Sequence, residues 1–286
     1  MDTLETRLRA AMPDLTRAER QLAQHMLASF PVSALGSVAE VARAAGVSGP
    51  TVVRLVRKLG LSGYGAFRAQ LHADLGERLA SPLAKHEKWA DSVASDHDLT
   101  LFARSLVAAL DQTLSQLDLA SFDAAVGLLS DPTRPVHMVG GRLTQAAAGY
   151  FATALRVMRP DVGLLSSLPS TWLPELLDMT DRHVLVVFDI RRYEPAVQQL
   201  AEHAHDQGAE IILLTDKWVS PAASVARHIL TGHIEVPSAW DSVVPLFAIV
   251  EAMLAGIQDR TWDDTRGRLD KMEMLYEKTR LFKRLR

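Results

Sequence analysis

Apolar residues in the first eighty positions recur at helical spacing and predict short helices joined by tight turns. One helix runs from a cap at Thr16 through Ser29, with Glu19 at the capping-box position and Pro31 just past its end. The last runs over about 64–79. Between them lie two helices separated by about four residues, the arrangement of helix-turn-helix modules that bind DNA.

The two central helices each carry a single apolar stripe. Ser37 caps the first helix and Gly46 ends it, whereas Ser48 caps the second, which has Pro50 in its first turn. The stripes consist of Val38, Val41, Ala42 and Ala45 in the first helix and Val52, Leu55, Val56 and Leu59 in the second. The second helix therefore buries one face and leaves the other for solvent or a DNA groove.

From Pro135 the pattern changes to short apolar runs that alternate with helical stretches. The runs are PVHMV, VGLL, HVLVVF, EIILL and HIEV, the last at 233–236. Strands without alternation, each followed by a helix, indicate a parallel sheet covered on both faces. We therefore predict a multidomain chain. It comprises an all-α helix-turn-helix domain over 1–80, a polar linker over 81–96, an α/β doubly wound domain over 97–257 with two leading helices, and a charged helical tail over 258–286.

The amino-acid composition excludes several kinds of functional site. The 286 residues are 48% hydrophobic and include no cysteine, which excludes disulfides, thiolate metal sites and cysteine nucleophiles. The first twenty residues carry charges throughout, and no run approaches the ~18 apolar residues of a membrane span, so we expect a cytoplasmic protein without a membrane partner. Residues 41–71 contain five Lys and Arg and no carboxylate, a field suited to a polyanion.

The exposed side of the second central helix carries residue types that recognise DNA. Arginine can pair with guanine, threonine can contact a thymine methyl or a phosphate, and first-turn amides can bind a phosphate. The candidate DNA-binding residues are Ser48, Thr51, Arg54, Arg57 and Lys58. The alternative is a solvated surface helix of an ordinary bundle.

These residues also carry a family resemblance. Residues 15–71, and above all VARAAGVSGPTVVRLVRKLGLSGY at 41–64, resemble the N-terminal helix-turn-helix of RpiR-type bacterial transcriptional regulators. The resemblance implies a duplex DNA operator as partner and a C-terminal sugar isomerase (SIS) domain, a doubly wound α/β fold. The order of elements predicted above agrees with that arrangement.

The resemblance extends to loops that hold a phosphosugar in SIS domains. VHMVGGRLTQ resembles the first loop and implies effector contacts from Gly140, Gly141, Arg142 and Thr144. In the second loop the usual serines and glycine are replaced by FDIRRYEP, which brings in Asp189, Arg191 and Arg192. The next loop adds Thr215 and Ser220. Arginine pairs well with phosphate or carboxylate, so we expect a small anionic effector of phosphosugar or carboxylate type.

Structural roles for the same loops stay open. The first loop could be a simple strand-to-helix turn, Asp189 could pair with an arginine and seal the pocket, and Ser220 is sufficiently explained as a helix cap. Asp241 is interpreted as a cap of the last helix, with a role in the pocket as the alternative.

We expect a sensor rather than an enzyme. The alternative is an aldose–ketose phosphate isomerase, which needs a base beside a carbonyl. The candidate bases form no distinctive pair; they are Glu175, Asp189, Glu194, His203, His205 and His233. No cofactor or metal is expected, because the GxGxxG spacing is absent and His203 and His205 fall on different sides of a helix. Two DNA-binding heads must meet successive major grooves, which predicts a homo-oligomer, either a dimer or a tetramer.

Overall fold

The computed structural model describes residues 3–28, 30–78, 81–90 and 98–280. The chain divides into two compact units with the boundary after Ser92, and the short segment Lys217–Val219 is grouped with the first unit.

The first unit is built from helices. They are α1 (Leu4–Ala11), α2 (Arg17–Ala28), α3 (Val38–Ala44), α4 (Gly49–Lys58), α5 (Tyr64–Arg78) and α6 (Pro82–Ala90), with single 3-10 turns at Met12–Asp14 and Val32–Ala34. Fully buried side chains from several of these helices form one core; the largest are Leu4, Leu8, Leu22, Met26, Leu55, Phe67 and Leu71. The core holds α3 and α4 in a helix-turn-helix arrangement, and both predicted apolar stripes face it.

Local hydrogen bonds fix the ends of these helices. The Glu19 carboxylate accepts from the backbone N–H of Thr16 at 2.9 Å and from its hydroxyl at 2.8 Å. Ser37 and Glu40 form a complete capping box at the start of α3. Gly46 ends that helix with φ of +65°, a conformation that favours glycine. The sequence signals for the start of α2 and for both ends of α3 are therefore confirmed.

Part of the segment predicted as a linker is helical. Pro82 lies at the start of α6, where its missing N–H removes no helical hydrogen bond, and the Ser81 hydroxyl accepts from the N–H of Ala84 at 3.2 Å. A helix therefore begins inside the segment that the sequence analysis assigned as a linker. Residues 91–96 of the predicted linker lie outside the described residues.

The second unit contains a five-stranded parallel sheet with strand order β2-β1-β3-β4-β5. Its strands are β1 (Val136–Gly140), β2 (Val162–Leu164), β3 (Val184–Asp189), β4 (Glu210–Asp216) and β5 (His228–Gly232). Every residue of the central strand β3 is buried. This confirms the predicted doubly wound α/β fold, since strands covered on both faces read as continuous apolar runs.

Helices precede, connect and follow the strands. They are α7 (Asp98–Ser115), α8 (Leu119–Ser130), α9 (Gln145–Met158), α10 (Leu173–Leu177), α11 (Pro195–Asp206), α12 (Val244–Arg260) and α13 (Trp262–Thr279). Single 3-10 turns lie at Pro169–Thr171 and Pro221–Ser224. Among the described helices, none combines the length and apolarity that crossing a membrane requires.

The fifth predicted strand is wrong in position. The strand that pairs with β4 is His228–Gly232, from Ile212 opposite His228 to Asp216 opposite Gly232. The predicted run 233–236 follows it without strand structure, although Ile234 and Val236 are buried. Its apolar character therefore reflects packing beyond the end of the sheet.

Candidate DNA interface and effector crevice

Helix α4 has two chemically different faces. Val52, Leu55 and Val56 are fully buried, whereas Arg54 and Arg57 are exposed. Because the apolar stripe faces the core, the two arginines point away from it. Ser48 precedes this face and is also exposed. A helix with this division can enter a major groove while its buried face keeps it attached to the domain.

Thr51 does not lie on this exposed face, contrary to the prediction. Its side chain is only 3% exposed, and its hydroxyl shares a hydrogen bond of 2.8 Å with the Ser48 hydroxyl. It also accepts from the Arg54 guanidinium at 3.3 Å. Thr51 flanks the apolar stripe and so becomes part of the core edge. Its hydroxyl therefore bonds to Ser48 and Arg54 in this structure, and its contact with DNA stays a prediction.

Lys58 is exposed, but its ammonium group already has a partner. Its Nζ lies 2.8 Å from the Glu19 carboxylate, which is almost fully buried. The hydrogen bond from Lys58 lowers the pKa of Glu19 to about 2; burial opposes this shift and the hydrogen bonds from Thr16 reinforce it. Lys58 thus links α4 to the start of α2, a role that the sequence interpretation did not foresee.

The nine candidate effector residues lie at or just after the carboxyl ends of β1, β3 and β4, on one side of the sheet. They are Gly140, Gly141, Arg142, Thr144, Asp189, Arg191, Arg192, Thr215 and Ser220. The strand order reverses between β1 and β3, so the loops after these two strands border the crevice in which open α/β sheets usually bind ligands.

The first loop requires glycine at its start. A Cβ atom on Gly140 would lie 2.5 Å from the backbone nitrogen of Gln145, a distance that no real side chain tolerates. The backbone N–H of Gly140 instead donates to the Gln145 side chain at 2.8 Å. The chain can therefore turn directly from β1 into α9 only with glycine at this position.

Two buried threonines, one in the loop after β1 and one near the end of β4, bond to the backbone of β3. The Thr144 hydroxyl donates to the carbonyl of Phe188 at 2.7 Å, and the Thr215 hydroxyl donates to the carbonyl of Asp189 at 2.6 Å. Thr215 also accepts from the backbone N–H of Ser220 at 3.1 Å. These hydroxyls were predicted to face an effector, but the structure directs both at the backbone of the central strand.

Asp189 is buried and its partner is a hydroxyl, not an arginine. It is 1% exposed and accepts hydrogen bonds from the Ser220 hydroxyl and from the backbone N–H of Glu194. Burial raises the pKa of Asp189 to about 7, against the opposing effect of the Ser220 hydrogen bond. Ser220 also caps the following 3-10 turn by accepting from Ala222, so the predicted cap is present and Asp189 binds it.

Arg191 forms a buried ion pair. Its Nε and Nη2 donate to the two carboxylate oxygens of Asp241 at 3.0 and 2.7 Å, and Glu235 lies 3.7 Å away. Burial alone lowers the pKa of Arg191, but the hydrogen bonds and the negative charges of Asp241 and Glu235 raise it above its ordinary value. The charge of Arg191 is therefore already paired with carboxylates of the protein, and its contact with an effector stays a prediction. Asp241 was interpreted as a helix cap, yet α12 begins only at Val244.

Arg142 and Arg192 differ from Arg191 because both are exposed. Within the described ranges, neither guanidinium makes an ion pair with a carboxylate. The backbone N–H of Arg142 donates to the Glu194 carboxylate at 2.6 Å, a contact that sequence reasoning missed. Arg142 and Arg192 therefore both present accessible cationic groups at this edge.

The described part of the chain contains no cluster of three or more residues that could hold a metal ion. Of the candidate bases, Asp189 and Glu194 lie together at the crevice, where the backbone N–H of Glu194 donates to Asp189. Glu175 lies 3.7 Å from His137, and His203 and His205 are on α11.

Both units match known protein families. Residues 2–78 match the family model of the helix-turn-helix domain of the rpiR family, and residues 132–256 match that of the SIS domain. The HTH-type transcriptional regulator HexR of Pseudomonas aeruginosa is 27% identical over 96% of this chain and 95% of its own length.

Two solved structures share the fold. The sugar isomerase domain of an RpiR transcription factor from Sphaerobacter thermophilus is 24% identical, with a TM-score of 0.58 over 62% of this chain and 97% of that one. The NanR protein of Vibrio vulnificus, solved with ManNAc-6P, is 18% identical, with a TM-score of 0.55 over 96% of this chain and 98% of that one. With an rpiR-type helix-turn-helix domain followed by a SIS domain, this chain has the architecture of the RpiR family of transcriptional regulators.

Proposed function

We propose that this protein is a cytoplasmic, DNA-binding regulator whose recognition helix is α4. The observation that carries the proposal is the division of α4 into a fully buried apolar face and an exposed face bearing Arg54 and Arg57. The exposed guanidinium groups match the acceptors of guanine in the major groove. Ser48 and the first-turn amides suit a neighbouring phosphate. Lys58 contributes mainly by fixing α4 against α2 through Glu19.

The second unit, in this proposal, senses a small anionic metabolite of the phosphosugar class. The match to the SIS domain supports this class, as does the NanR structure, which contains a sugar phosphate. The accessible charges of Arg142 and Arg192 at the crevice suit an anionic ligand. Arg191 is assigned a structural role because Asp241 and Glu235 already neutralise it.

An aldose–ketose phosphate isomerase is the second candidate, and one observation favours it. The pKa of Asp189 is raised to about 7, a range in which a carboxylate can serve as a general base near neutral pH. Asp189 is, however, 1% exposed and hydrogen-bonded to Ser220, so its carboxylate has no open path to a substrate. Sensing therefore fits the site better than proton transfer.

Regulation would arise from differential binding. Two copies of α4 must be spaced to meet successive major grooves, so we propose that the protein acts as a dimer or tetramer. An effector that prefers one arrangement of the copies changes DNA affinity by its difference in binding free energy, commonly about 1–3 kcal/mol.

The test begins with the full chain. A preferred duplex is selected from a random pool, and affinities are then measured by fluorescence anisotropy at fixed salt. Arg54→Ala should weaken binding by about 1–3 kcal/mol and relax base preference at one position, since it removes a contact to a base edge. Arg266→Ala is a matched control, because Arg266 is exposed on α13 in the other unit. Wild-type affinity and preference in both Arg54→Ala and Arg57→Ala would refute the assignment of α4.

A further inference from the structure

The first loop of the crevice is already in contact with an anion that belongs to the protein. Glu194 Oε1 accepts the backbone N–H of Arg142 at 2.6 Å. The same oxygen would lie 3.0 Å from a Cβ on Gly141, so only glycine lets the carboxylate approach this closely without adjustment. The loop leads into the 14-residue helix α9, whose N-terminal dipole attracts negative charge.

Other polar groups of the loop are used inside the fold. The N–H of Gly140 donates to Gln145 at 2.8 Å, that of Gly141 donates to the carbonyl of Phe188 at 3.1 Å, and the Thr144 hydroxyl donates to the same carbonyl. Arg142 N–H differs from these donors because its acceptor is a charged side chain from another loop. The loop therefore offers this N–H to an anion, and the anion present is Glu194.

The Glu194 carboxylate can move away from the Arg142 N–H without disrupting the fold around it. It lies at the N-cap position of α11, but its side chain makes no capping hydrogen bond to that helix. It is half-buried, and its backbone N–H is held by Asp189 at 3.3 Å independently of the carboxylate. Rotation of the side chain would thus break the contact with Arg142 without removing a hydrogen bond of the sheet.

We propose that Glu194 is an internal competitor for the effector's anionic group. It holds the loop between β1 and α9 in the ligand-free protein and is displaced when a phosphate binds to the Arg142 N–H. This inference rests on the proposed sensing function. A carboxylate and a phosphate cannot share one N–H donor at close range, because their charges repel. Binding is therefore coupled to a movement of the Glu194 side chain, which lies between β3 and α11.

Isothermal titration calorimetry on the full chain tests this competition, with inorganic phosphate and glucose 6-phosphate as the two probes. Glu194→Gln keeps an acceptor for Arg142 N–H but removes the charge, and it should bind inorganic phosphate about tenfold more tightly than wild type, a change of about 1.4 kcal/mol. Glu202→Gln is the matched control. Glu202 lies on α11 and accepts from Gln198 at 2.7 Å, so the same loss of charge there should leave phosphate affinity unchanged.

The outcomes separate the inference from the proposed function. If Glu194→Gln gains nothing while the wild type binds glucose 6-phosphate, Glu194 is not a competitor and the sensing proposal stands. If Glu194→Gln gains affinity for inorganic phosphate but neither protein binds the sugar phosphate, the competitor role holds and phosphosugar sensing fails. If the glutamine variant does not fold, Glu194→Ala decides. This variant removes both the charge and the acceptor for Arg142 N–H, so gained phosphate affinity supports the inference and unchanged affinity overturns it.

Discussion

Replacing Arg191 with methionine tests whether this arginine stabilises the fold or binds a ligand. The substitution keeps an extended apolar side chain but removes the guanidinium that bonds Asp241. It leaves the carboxylates of Asp241 and Glu235 close together without the cation between them. If the ion pair holds the crevice loops, the loss should appear as reduced stability of the second unit.

The structure sets the size of the effect. The guanidinium side chain is 3% exposed and that of Asp241 is 12% exposed, so little solvent replaces the lost contacts. Removing one partner of a buried ion pair typically costs about 3–5 kcal/mol. Glu235 is 28% exposed and can be hydrated after the change, which favours the lower end, about 3 kcal/mol. Arg192→Met is the matched control, since Arg192 is exposed and should change stability by less than about 0.5 kcal/mol.

Hydrogen exchange measured by mass spectrometry on the full chain is the appropriate assay. The chain has two compact units, so one global unfolding free energy is not well defined, whereas exchange reports each segment separately. Peptides covering β3 and β4 should lose protection in Arg191→Met and keep it in Arg192→Met. Equal protection in both variants would refute the structural assignment and return the Arg191 guanidinium to the set of candidate effector ligands.

Two further predictions concern pH. Because the pKa of Glu19 is lowered to about 2, its ion pair with Lys58 stabilises the first unit fully above about pH 4.5 and is lost as the pH falls toward 2. Lys58→Met should flatten that acid limb and cost about 1 kcal/mol at pH 7, a value reduced by the partial exposure of Lys58; an unchanged acid limb would contradict it. The pH dependence of stability has the opposite sign for Asp189, because folding raises its pKa to about 7. The stability of the second unit should therefore fall as the pH rises from about 4 to 7 and remain constant above that range. Hydrogen-exchange protection of second-unit peptides in Asp189→Asn, corrected for the intrinsic pH dependence of exchange, should lack this decline. A decline equal to that of wild type would show that another group titrates.

Much of the fold follows from spacing alone. The stripe of α4 is buried as predicted, and four of the five strands lie where continuous apolar runs occur, because a strand covered on both faces needs apolar residues throughout. The fifth strand was misplaced because local composition does not separate the two runs: HILTG at 228–232 and HIEV at 233–236 each contain two large apolar residues. Pairing with β4 decided the position, and a local pattern does not contain that information.

The candidate binding residues, like the fold, were predictable only in part. That Thr51 and Lys58 flank the stripe, while Arg54 and Arg57 lie opposite it, could have been read from the helical spacing of the stripe itself. The partners of the crevice residues could not. Arg191 and Asp241 are 50 positions apart, and Arg142 and Glu194 are 52 apart. Only the folded sheet brings such residues together, so residue type predicted the charge of a loop but not whether the charge was already neutralised.

The two threonine hydroxyls that bond consecutive carbonyls of β3 have a consequence for how a ligand signal leaves the crevice. Thr144 fixes the peptide group of Phe188 from one side of the strand, and Thr215 fixes that of Asp189 from the other. Both hydrogen bonds would have to break before these peptide groups at the end of the central strand could move. We therefore expect a displacement produced by a ligand to begin in the loops beyond the strands, such as the loop from Asp189 into α11. The sheet then acts as a stationary reference against which helices can shift, and not as the moving part.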